Sequence, residues 1–243
     1  HGLRRAPARG DVVSALLHVC GRYLPLSETF TYDLITGLGG FSHHIVATGL
    51  ENVQHFPLPT VVVPQPEEQA WTPARQIDAR AVVCHFGPQA TLGMTIALSI
   101  DRPAVTIFHG YDISRLIRDR VWVERYRAVA RLGMQALCIS HAGRQKLLDI
   151  GWPASQIAVI HLGVDNKRFA FVSPAERWPA RPWRILMVSR LVEKKGVDVA
   201  LDAMRRLRER GCDVELRIVG DGPERTRIEA QIRRSQLTNV SLL

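Results

Sequence analysis

The chain has 243 residues, of which 46% are hydrophobic and 23% charged, and it carries a formal net charge of +9 at pH 7. This composition is that of an ordinary globular protein, and it lacks the run of roughly eighteen apolar residues that a transmembrane helix needs. The excess of basic residues suits nucleic acid, anionic lipid or an anionic small substrate. Because no helix-turn-helix, zinc-finger or RNP signature accompanies the basic stretches, we expect no nucleic-acid partner.

The start of the chain and its cysteines give three further expectations. The opening stretch, HGLRRAPARGD, has neither a methionine nor an apolar core, so no signal peptide is expected there. The four cysteines lie far apart and form no CxxC pair, which favours free thiols in a reducing cytosol over a disulfide framework. Cys138 lies three residues before His141, but no second pair matches it, so we expect no zinc site.

Up to residue 168 the chain alternates between strands and helices. Residues 12–19 predict a first strand, and the loop after it ends on Ser27-Glu28-Thr29, where Ser27 or Thr29 would cap the next helix. The glycines at 37–40 end that helix. This alternation predicts an α/β fold with a parallel sheet. The remaining strands are expected at residues 44–47, 60–63, 81–86, 104–108, 136–140 and 157–161, and the helices at 89–100, 121–132 and 142–150, with a loop and a short helix at 65–79.

The pattern stops over residues 169–183, where three prolines and no hydrophobic period predict an interdomain linker. We therefore expect one Rossmann-like domain over residues 1–168 and a second over residues 184–243. In the second, strands at 185–188 and 214–219 flank a helix, as in a parallel βαβ unit, and Pro223 then opens another helix. Two strands and the start of a third are too few for a doubly wound domain, so we expect the second domain to be incomplete.

Both loops of this βαβ unit would lie at the carboxyl ends of parallel strands, where open α/β sheets bind ligands. The first carries Arg190 and Lys195 just before a helix N-terminus, which suits either a pyrophosphate or an ordinary solvated loop. The second, with Gly220 and Gly222, is either a tight turn or a place where a ligand approaches the backbone. Because Arg225 stands where a dinucleotide fingerprint has its third glycine, a nicotinamide or flavin enzyme is disfavoured.

Two polar residues follow the strand at 104–108. His109 is either a strand-end residue satisfied by the backbone or a functional side chain, and its place in FHGYD favours function. Asp112 is expected to cap a short helical turn.

Several stretches resemble glycosyltransferases of family 4, which have the GT-B fold. They are VSRLVEKKGVDVALDAM and LRIVGDGPER in the second domain and FHGYDIS, CISHAGRQKLLDIGW and IAVIHLGVDNKRF in the first. PLSETF resembles the first loop of members that build bacterial exopolysaccharide or lipopolysaccharide. The resemblance implies a GT-B-like α/β fold with one complete Rossmann-like domain and the first part of another. It also implies site roles: the donor diphosphate bound by Arg190 and Lys195, the nucleotide beside Gly220 and Glu224, the donor sugar near a catalytic His109, and the cleft or acceptor faced by Ser27 and Glu28.

Two departures from the family pattern stand out. Ser189 replaces the usual glycine before Arg190, and the later Glu-rich loop that holds ribose and donor sugar is absent from this chain. The residues that would hold those two groups are therefore not assigned.

The resemblance implies transfer of a sugar, with retention, from a nucleoside diphosphate sugar to a saccharide or lipid-linked acceptor in cell-envelope polysaccharide biosynthesis. The alternatives are a non-catalytic fragment of such an enzyme, or a nucleotide-sugar epimerase of similar architecture. We expect no cofactor beyond the nucleotide sugar and, because the chain has no Asp-x-Asp motif, no metal. The expected location is the cytoplasm, and the basic surface suits the anionic inner face of the plasma membrane.

Overall fold

The computed structural model describes residues 14–58, 61–62, 74–173 and 182–243. The chain divides into two compact units, His1–Val164 and Asp165–Leu243. The predicted domain boundary at residue 168 lies four residues after this division, and residues 174–181 of the predicted linker lie outside the described residues. So do residues 12–13 of the first predicted strand and most of the loop and short helix predicted at 65–79.

The first unit is built on a seven-stranded parallel sheet with the strand order β3-β2-β1-β4-β5-β6-β7. Runs of Val, Ile, Leu and Ala form its central strands, as expected where both faces of a parallel sheet are covered. The strands are β1 Ser14–Tyr23, β2 Phe41–Leu50, β3 Val61–Val62, β4 Ala79–His85, β5 Ala104–Phe108, β6 Gln135–Cys138 and β7 Ile157–Val159, and the helices are α1 Thr29–Gly37, α2 Ala90–Ile100, α3 Arg120–Arg131 and α4 His141–Asp149.

Two apolar clusters cover the two faces of this sheet. The larger one joins Leu17 of β1 and Val82 of β4 to residues of α2, α3 and α4. The smaller one joins Cys20 of β1 and Ile45 of β2 to Ile35 of α1. Successive side chains of β1 therefore point to opposite faces of the sheet and belong to different clusters, as the two-residue period of a strand requires.

The direction in which successive strands are added to the sheet reverses between β1 and β4. From this pair, β2 and β3 extend to one side and β5, β6 and β7 to the other. The loops that follow β1 and β4 diverge at such a point and leave a crevice at the carboxyl ends of the strands, which is where open α/β sheets bind ligands. The stretch after β1 carries Ser27 and Glu28, and the stretch after β5 carries His109.

The helix starts agree only in part with the predictions. Asp119 caps α3 through the N–H of Val121, and Ser140 caps α4 through the N–H of Gly143. The predicted capping of α1 by Ser27 or Thr29 is wrong, since neither side chain caps that helix. A short 3-10 turn over Leu26–Glu28 runs directly into α1 instead, so the backbone arrives already coiled.

The second unit has a three-stranded parallel sheet with the order β10-β9-β8. Its strands are β8 Trp183–Val188, β9 Val214–Val219 and β10 Val240–Leu242, and its helices are α5 Val197–Glu209 and α6 Arg225–Arg234. Leu201 and Met204 of α5 pack on Leu216 and Ile218 of β9, which confirms the helical period of the sequence. Pro223 does not open α6, because the N–H of the next residue, Glu224, is bonded to the main-chain oxygen of Leu191 (3.1 Å) and the helix begins after it.

One side of β8 carries large apolar side chains in contact with solvent. Leu186 is 65% exposed and Val188 70% exposed. A cavity of about 330 Å³ opens at the other side of this strand, lined mainly by Trp183, Ile185 and Leu207. Among the described residues, no helix is long and apolar enough to cross a bilayer.

Candidate functional site

His109 lies directly after β5, at the carboxyl edge of the first sheet. Its ring sits against Phe30 and Phe86, with centroid distances of 4.7 and 4.5 Å. Both ring nitrogens are shielded from solvent, and neither has a hydrogen-bond partner among the described residues. Burial lowers the pKa of His109, while the charge of Asp112 acts in the opposite direction. A buried polar group without a hydrogen-bond partner requires an explanation. The imidazole of His109, held between aromatic rings, could obtain its partner from a ligand.

Asp112 fixes the main chain around His109. Its carboxylate is fully buried and accepts hydrogen bonds from the backbone N–H groups of four residues in two loops. These residues are Gly87 (3.1 Å), His109 (3.1 Å), Gly110 (2.7 Å) and Ile113 (3.1 Å). Asp112 thus joins the loop after β4 to the loop after β5, which is more than the helical cap that the sequence predicts.

The loop after β4 is itself held in an uncommon conformation. Phe86 has φ 72° and ψ 148°, a region that residues other than glycine rarely occupy. Its ring contacts those of Phe30, His109 and Tyr111. The strained backbone therefore directs an aromatic side chain into the same group of rings that surrounds His109.

The loop after β1 reaches this group as well. Ser27 is exposed and Glu28 half-buried, and Phe30, two residues further, is the ring that contacts His109. The pKa of Tyr111 is raised mainly by burial and further by the charges of Asp112 and Glu28. The structure thus brings the Ser27–Glu28 loop and His109 to one edge of the sheet, as the resemblance implies.

In the second unit, Arg190 and Lys195 lie on the loop between β8 and α5. Both side chains are exposed, and neither forms a hydrogen bond or an ion pair with any of the described residues. Gly196, with φ 63°, links a 3-10 turn at Glu193–Lys195 to the first turn of α5. No side chain caps α5, so its first N–H groups remain open to a ligand, beside two cations.

The loop after β9 is joined to this cationic loop by main-chain contacts. The N–H of Leu191 donates to the main-chain oxygen of Asp221 (2.8 Å), and the N–H of Glu224 donates to the main-chain oxygen of Leu191 (3.1 Å). Gly220 has φ 149°, and a Cβ there would overlap the carbonyl oxygen of Ser189. The space that a Cβ of Gly220 would take is therefore filled by the neighbouring loop, and the approach of a ligand to this residue stays a prediction.

Glu224 has a partner within its own turn. Its carboxylate accepts a hydrogen bond from Nε of Arg227, three residues further along. Both residues predicted to lie beside the nucleotide, Gly220 and Glu224, are thus in the loop that contacts the cationic loop. Their contact with a nucleotide stays a prediction.

The histidine and cysteine residues do not assemble into a metal site in the part of the chain that the structure describes. Nδ1 of His161 donates to the main-chain oxygen of Ile139 (3.0 Å). Cys138 is buried, which raises the pKa of its thiol to about 11. All four cysteines are free; Cys212 is exposed, and the other three are buried.

Comparison with known proteins places the chain in a family. A sequence family described as Glycosyltransferase Family 4 matches residues 27–168, which is more than half of the chain, and one described as glycosyl transferases group 1 matches residues 170–243. The chain therefore belongs to Glycosyltransferase Family 4. This confirms the family that the motifs predict.

Two relatives are named for the biosynthesis of colanic acid and of amylovoran. WcaL of Escherichia coli K12, provisionally named a colanic acid biosynthesis glycosyltransferase, is 38% identical over 175 residues, which are 71% of this chain and 42% of WcaL. The amylovoran biosynthesis glycosyltransferase AmsK of Erwinia amylovora is 37% identical over 132 residues, which are 53% of this chain and 30% of AmsK. The chain thus spans less than half the length of these relatives.

Solved structures show the same fold at low sequence identity. HepE of Anabaena, crystallised with UDP and glucose, superposes with a TM-score of 0.75 at 17% identity. The superposition covers 95% of this chain and 69% of the HepE chain. A glycosyltransferase from Rickettsia africae has a TM-score of 0.66 at 16% identity, covering 96% and 68%. The predicted GT-B-like architecture of two Rossmann-like parts is confirmed.

Proposed function

We propose that the chain is part of a retaining glycosyltransferase that moves a sugar from a nucleoside diphosphate sugar to a saccharide or lipid-linked acceptor. The observation that carries this proposal is a pair of cations, Arg190 and Lys195, whose side chains bind none of the described residues and which share a loop with the uncapped start of α5. A diphosphate needs positive charge and N–H donors at short range, and this loop offers both. As the diphosphate leaves, the same groups would stabilise the charge that develops on it.

The first unit would supply the remaining roles. His109 would be the catalytic residue that contacts the donor sugar, since burial lowers the pKa of its ring and neither ring nitrogen has a hydrogen-bond partner among the described residues. Ser27 and Glu28 would face the cleft near the donor phosphate or the acceptor. Gly220 and Glu224 would lie at the nucleotide side of the donor. Gly220 would act by permitting close contact between its own loop and the main chain of Ser189.

Support for the biological setting comes from the relatives. WcaL and AmsK are named for the biosynthesis of colanic acid and of amylovoran, and HepE was crystallised with UDP and glucose. We therefore infer a nucleotide-sugar donor, used without a metal or other cofactor, and a role in cell-envelope polysaccharide biosynthesis. The net charge of +9 suits work in the cytoplasm at the inner face of the plasma membrane, where the lipids are anionic.

Calorimetry with UDP and GDP tests the diphosphate site. Replacing Lys195 by alanine removes one cation, and because the side chain is exposed we expect the lower end of the usual range for a charged hydrogen bond, about a tenfold weaker Kd. Arg190→Ala should weaken binding at least as much, since Arg can grip phosphate oxygens through two N–H groups. Lys194→Ala is the matched control: it changes the net charge equally from the neighbouring position and should leave the Kd unchanged within about twofold.

The outcomes separate the alternatives. If Lys194→Ala and Lys195→Ala weaken binding equally, only the general field of the loop matters and the site is refuted. Absence of binding of either nucleotide at millimolar concentration would favour the non-catalytic fragment. Conversion of the nucleotide sugar without an acceptor would identify an epimerase, whereas a new glycosidic bond with the donor's anomeric configuration would support the transferase.

A further inference from the structure

Three histidines on neighbouring strands of the first unit form a continuous line of hydrogen bonds. Nε2 of His18 lies 3.0 Å from Nδ1 of His43, and Nδ1 of His18 lies 3.0 Å from Nε2 of His85. Nε2 of His43 lies 3.1 Å from the main-chain oxygen of Leu38. We call these three side chains the histidine line. It runs from half-buried His43 on β2 through His18 on β1 to His85 on β4, and the last two are fully buried.

The contacts give the histidine line a direction. A carbonyl oxygen only accepts, so Nε2 of His43 carries a proton. With all rings neutral, Nδ1 of His43 accepts from Nε2–H of His18, and Nδ1 of His18 accepts from Nε2–H of His85. Each ring is then the Nε2–H tautomer. Nδ1 of His85 is left as an unprotonated acceptor, and it is buried without a partner among the described residues.

Burial keeps the inner rings of the histidine line uncharged. It lowers the pKa of His18 to about 3, with His43 and His44 adding to the effect. It also lowers the pKa of His85, with His18 and His109 adding. The charged groups that act on both inner rings are thus histidines, which repel a further proton.

The described helix on this face, α1, carries a single charged side chain. Ile35 of α1 belongs to the apolar cluster on the same side of the sheet, and Asp33, the carboxylate of that helix, is exposed. A positive charge on the histidine line is therefore best placed at its half-buried end, His43, where solvent reaches.

We propose that the histidine line is a proton relay, which takes up a proton at Nδ1 of His85 and holds the resulting charge on His43. When the proton binds Nδ1 of His85, the Nε2 proton of that ring moves to Nδ1 of His18. The Nε2 proton of His18 then moves to Nδ1 of His43. One N–H bond forms and one breaks at each inner ring. Both inner rings end as neutral Nδ1–H tautomers, and His43 carries protons on both nitrogens.

The open end of the relay lies beside His109. His85 is paired in register with Ile107, and His109 follows Ile107 by two residues, so the two histidines face the same side of the sheet. The use of the relay rests on the proposed function. As the acceptor oxygen bonds to the anomeric carbon, the bond to the diphosphate breaks and its electron pair leaves on the diphosphate. The hydroxyl proton of the acceptor is then released, and Nδ1 of His85 takes it up.

The tautomers of the three rings can be read directly by long-range 1H–15N correlation spectra of the histidine-labelled chain. In alkaline solution all three rings should show the Nε2–H pattern, and the proton that the line takes up on acidification should convert His18 and His85 to the Nδ1–H pattern. The changes at the three rings should share one midpoint, because they report one proton. If His85 keeps its Nε2–H pattern while His43 gains a proton, the relay is refuted.

Breaking the line at its centre gives the second test. In His18→Gln the amide can bond to its neighbours but cannot pass a proton, so His85 should keep one tautomer throughout the titration. His43→Gln removes the charge-bearing end at a half-buried position and should have the same effect, which covers the case in which the first variant does not fold. His55→Gln, an exposed position outside the line, is the control and should leave the coupled change intact. A coupled change of His85 that survives in either line variant overturns the proposal.

This test needs no sugar donor and no turnover. A coupled tautomer change in a chain that transfers no sugar would refute the proposed function and leave the relay standing. Sugar transfer in a chain without the coupled change would do the reverse.

Discussion

Replacing Gly220 by alanine tests whether the two loops of the second unit are held by direct main-chain contact. Gly220 has φ 149°, and a Cβ at this position would overlap the carbonyl oxygen of Ser189. The backbone conformation alone costs another residue about 1–3 kcal/mol. The overlap is with main-chain atoms, which no side-chain rotation relieves, and it adds a similar amount. We therefore expect Gly220→Ala to lose about 2–6 kcal/mol of local stability.

Gly211 provides a matched control for this change. It also has a positive φ, 66°, but nothing lies within 4 Å of the position that its Cβ would take. Gly211→Ala should therefore cost only what a left-handed alanine costs, about 1 kcal/mol. The difference between the two variants isolates the contact between the loops.

Native-state hydrogen exchange at β9 measures both effects. The N–H of Leu216 donates to the main-chain oxygen of Asn239 (2.9 Å) and reports opening of the sheet beside the loop. Because each 1.4 kcal/mol is a factor of ten, protection of this amide should fall by about one and a half to four orders of magnitude in Gly220→Ala and by less than one in Gly211→Ala. Equal losses in the two variants would show that the loops are not in contact.

Four further predictions concern residues of the first unit and the cysteines. Asp112→Asn keeps one acceptor oxygen and turns an amide N–H toward donors, so at least two of the four N–H groups lose their partner; at about 1–3 kcal/mol each, the melting temperature should fall by several degrees. His109→Ala should abolish sugar transfer while donor affinity by calorimetry is kept. A thiol reagent should label Cys212 alone in the native chain at neutral pH, because burial raises the pKa of Cys84 to about 12. The pKa of His18 is lower in the folded than in the unfolded state, so unfolding takes up a proton and stability should decrease as the pH falls from about 6.5 toward 3.

Each of these predictions has a contrary result. An unchanged melting temperature for Asp112→Asn would mean that the two loops do not depend on the carboxylate. Normal turnover of His109→Ala would remove that residue from the reaction. Labelling of more than one thiol would contradict the burial of Cys84. A denaturation midpoint that does not change on acidification would contradict the burial of His18.

Most of the fold was predictable because its signals are local. The strands from residue 81 onward and the helices between them follow from short apolar runs and from a three- to four-residue period, which need no knowledge of distant contacts. The cap of α1 failed for the opposite reason. Ser27 and Thr29 have the right side chains, but the 3-10 turn at Leu26–Glu28 takes up the position where a cap would act.

The site was predictable only where residues are close in the chain. Arg190 and Lys195 share one loop, which their spacing in the sequence is enough to predict. His18, His43 and His85 come together across separations of 25 and 67 residues, which a strand order not readable from the sequence determines. Asp112 likewise reaches Gly87 across 25 residues, and the sequence indicates only its local turn.

The four hydrogen bonds of Asp112 also bear on which changes of length this chain can tolerate. A single buried carboxylate fixes the loop after β4 to the loop after β5, so an inserted residue in either loop displaces N–H donors of both. An insertion in one of these two loops should therefore lower the stability of the first unit more than an insertion of the same length in a loop without such a contact.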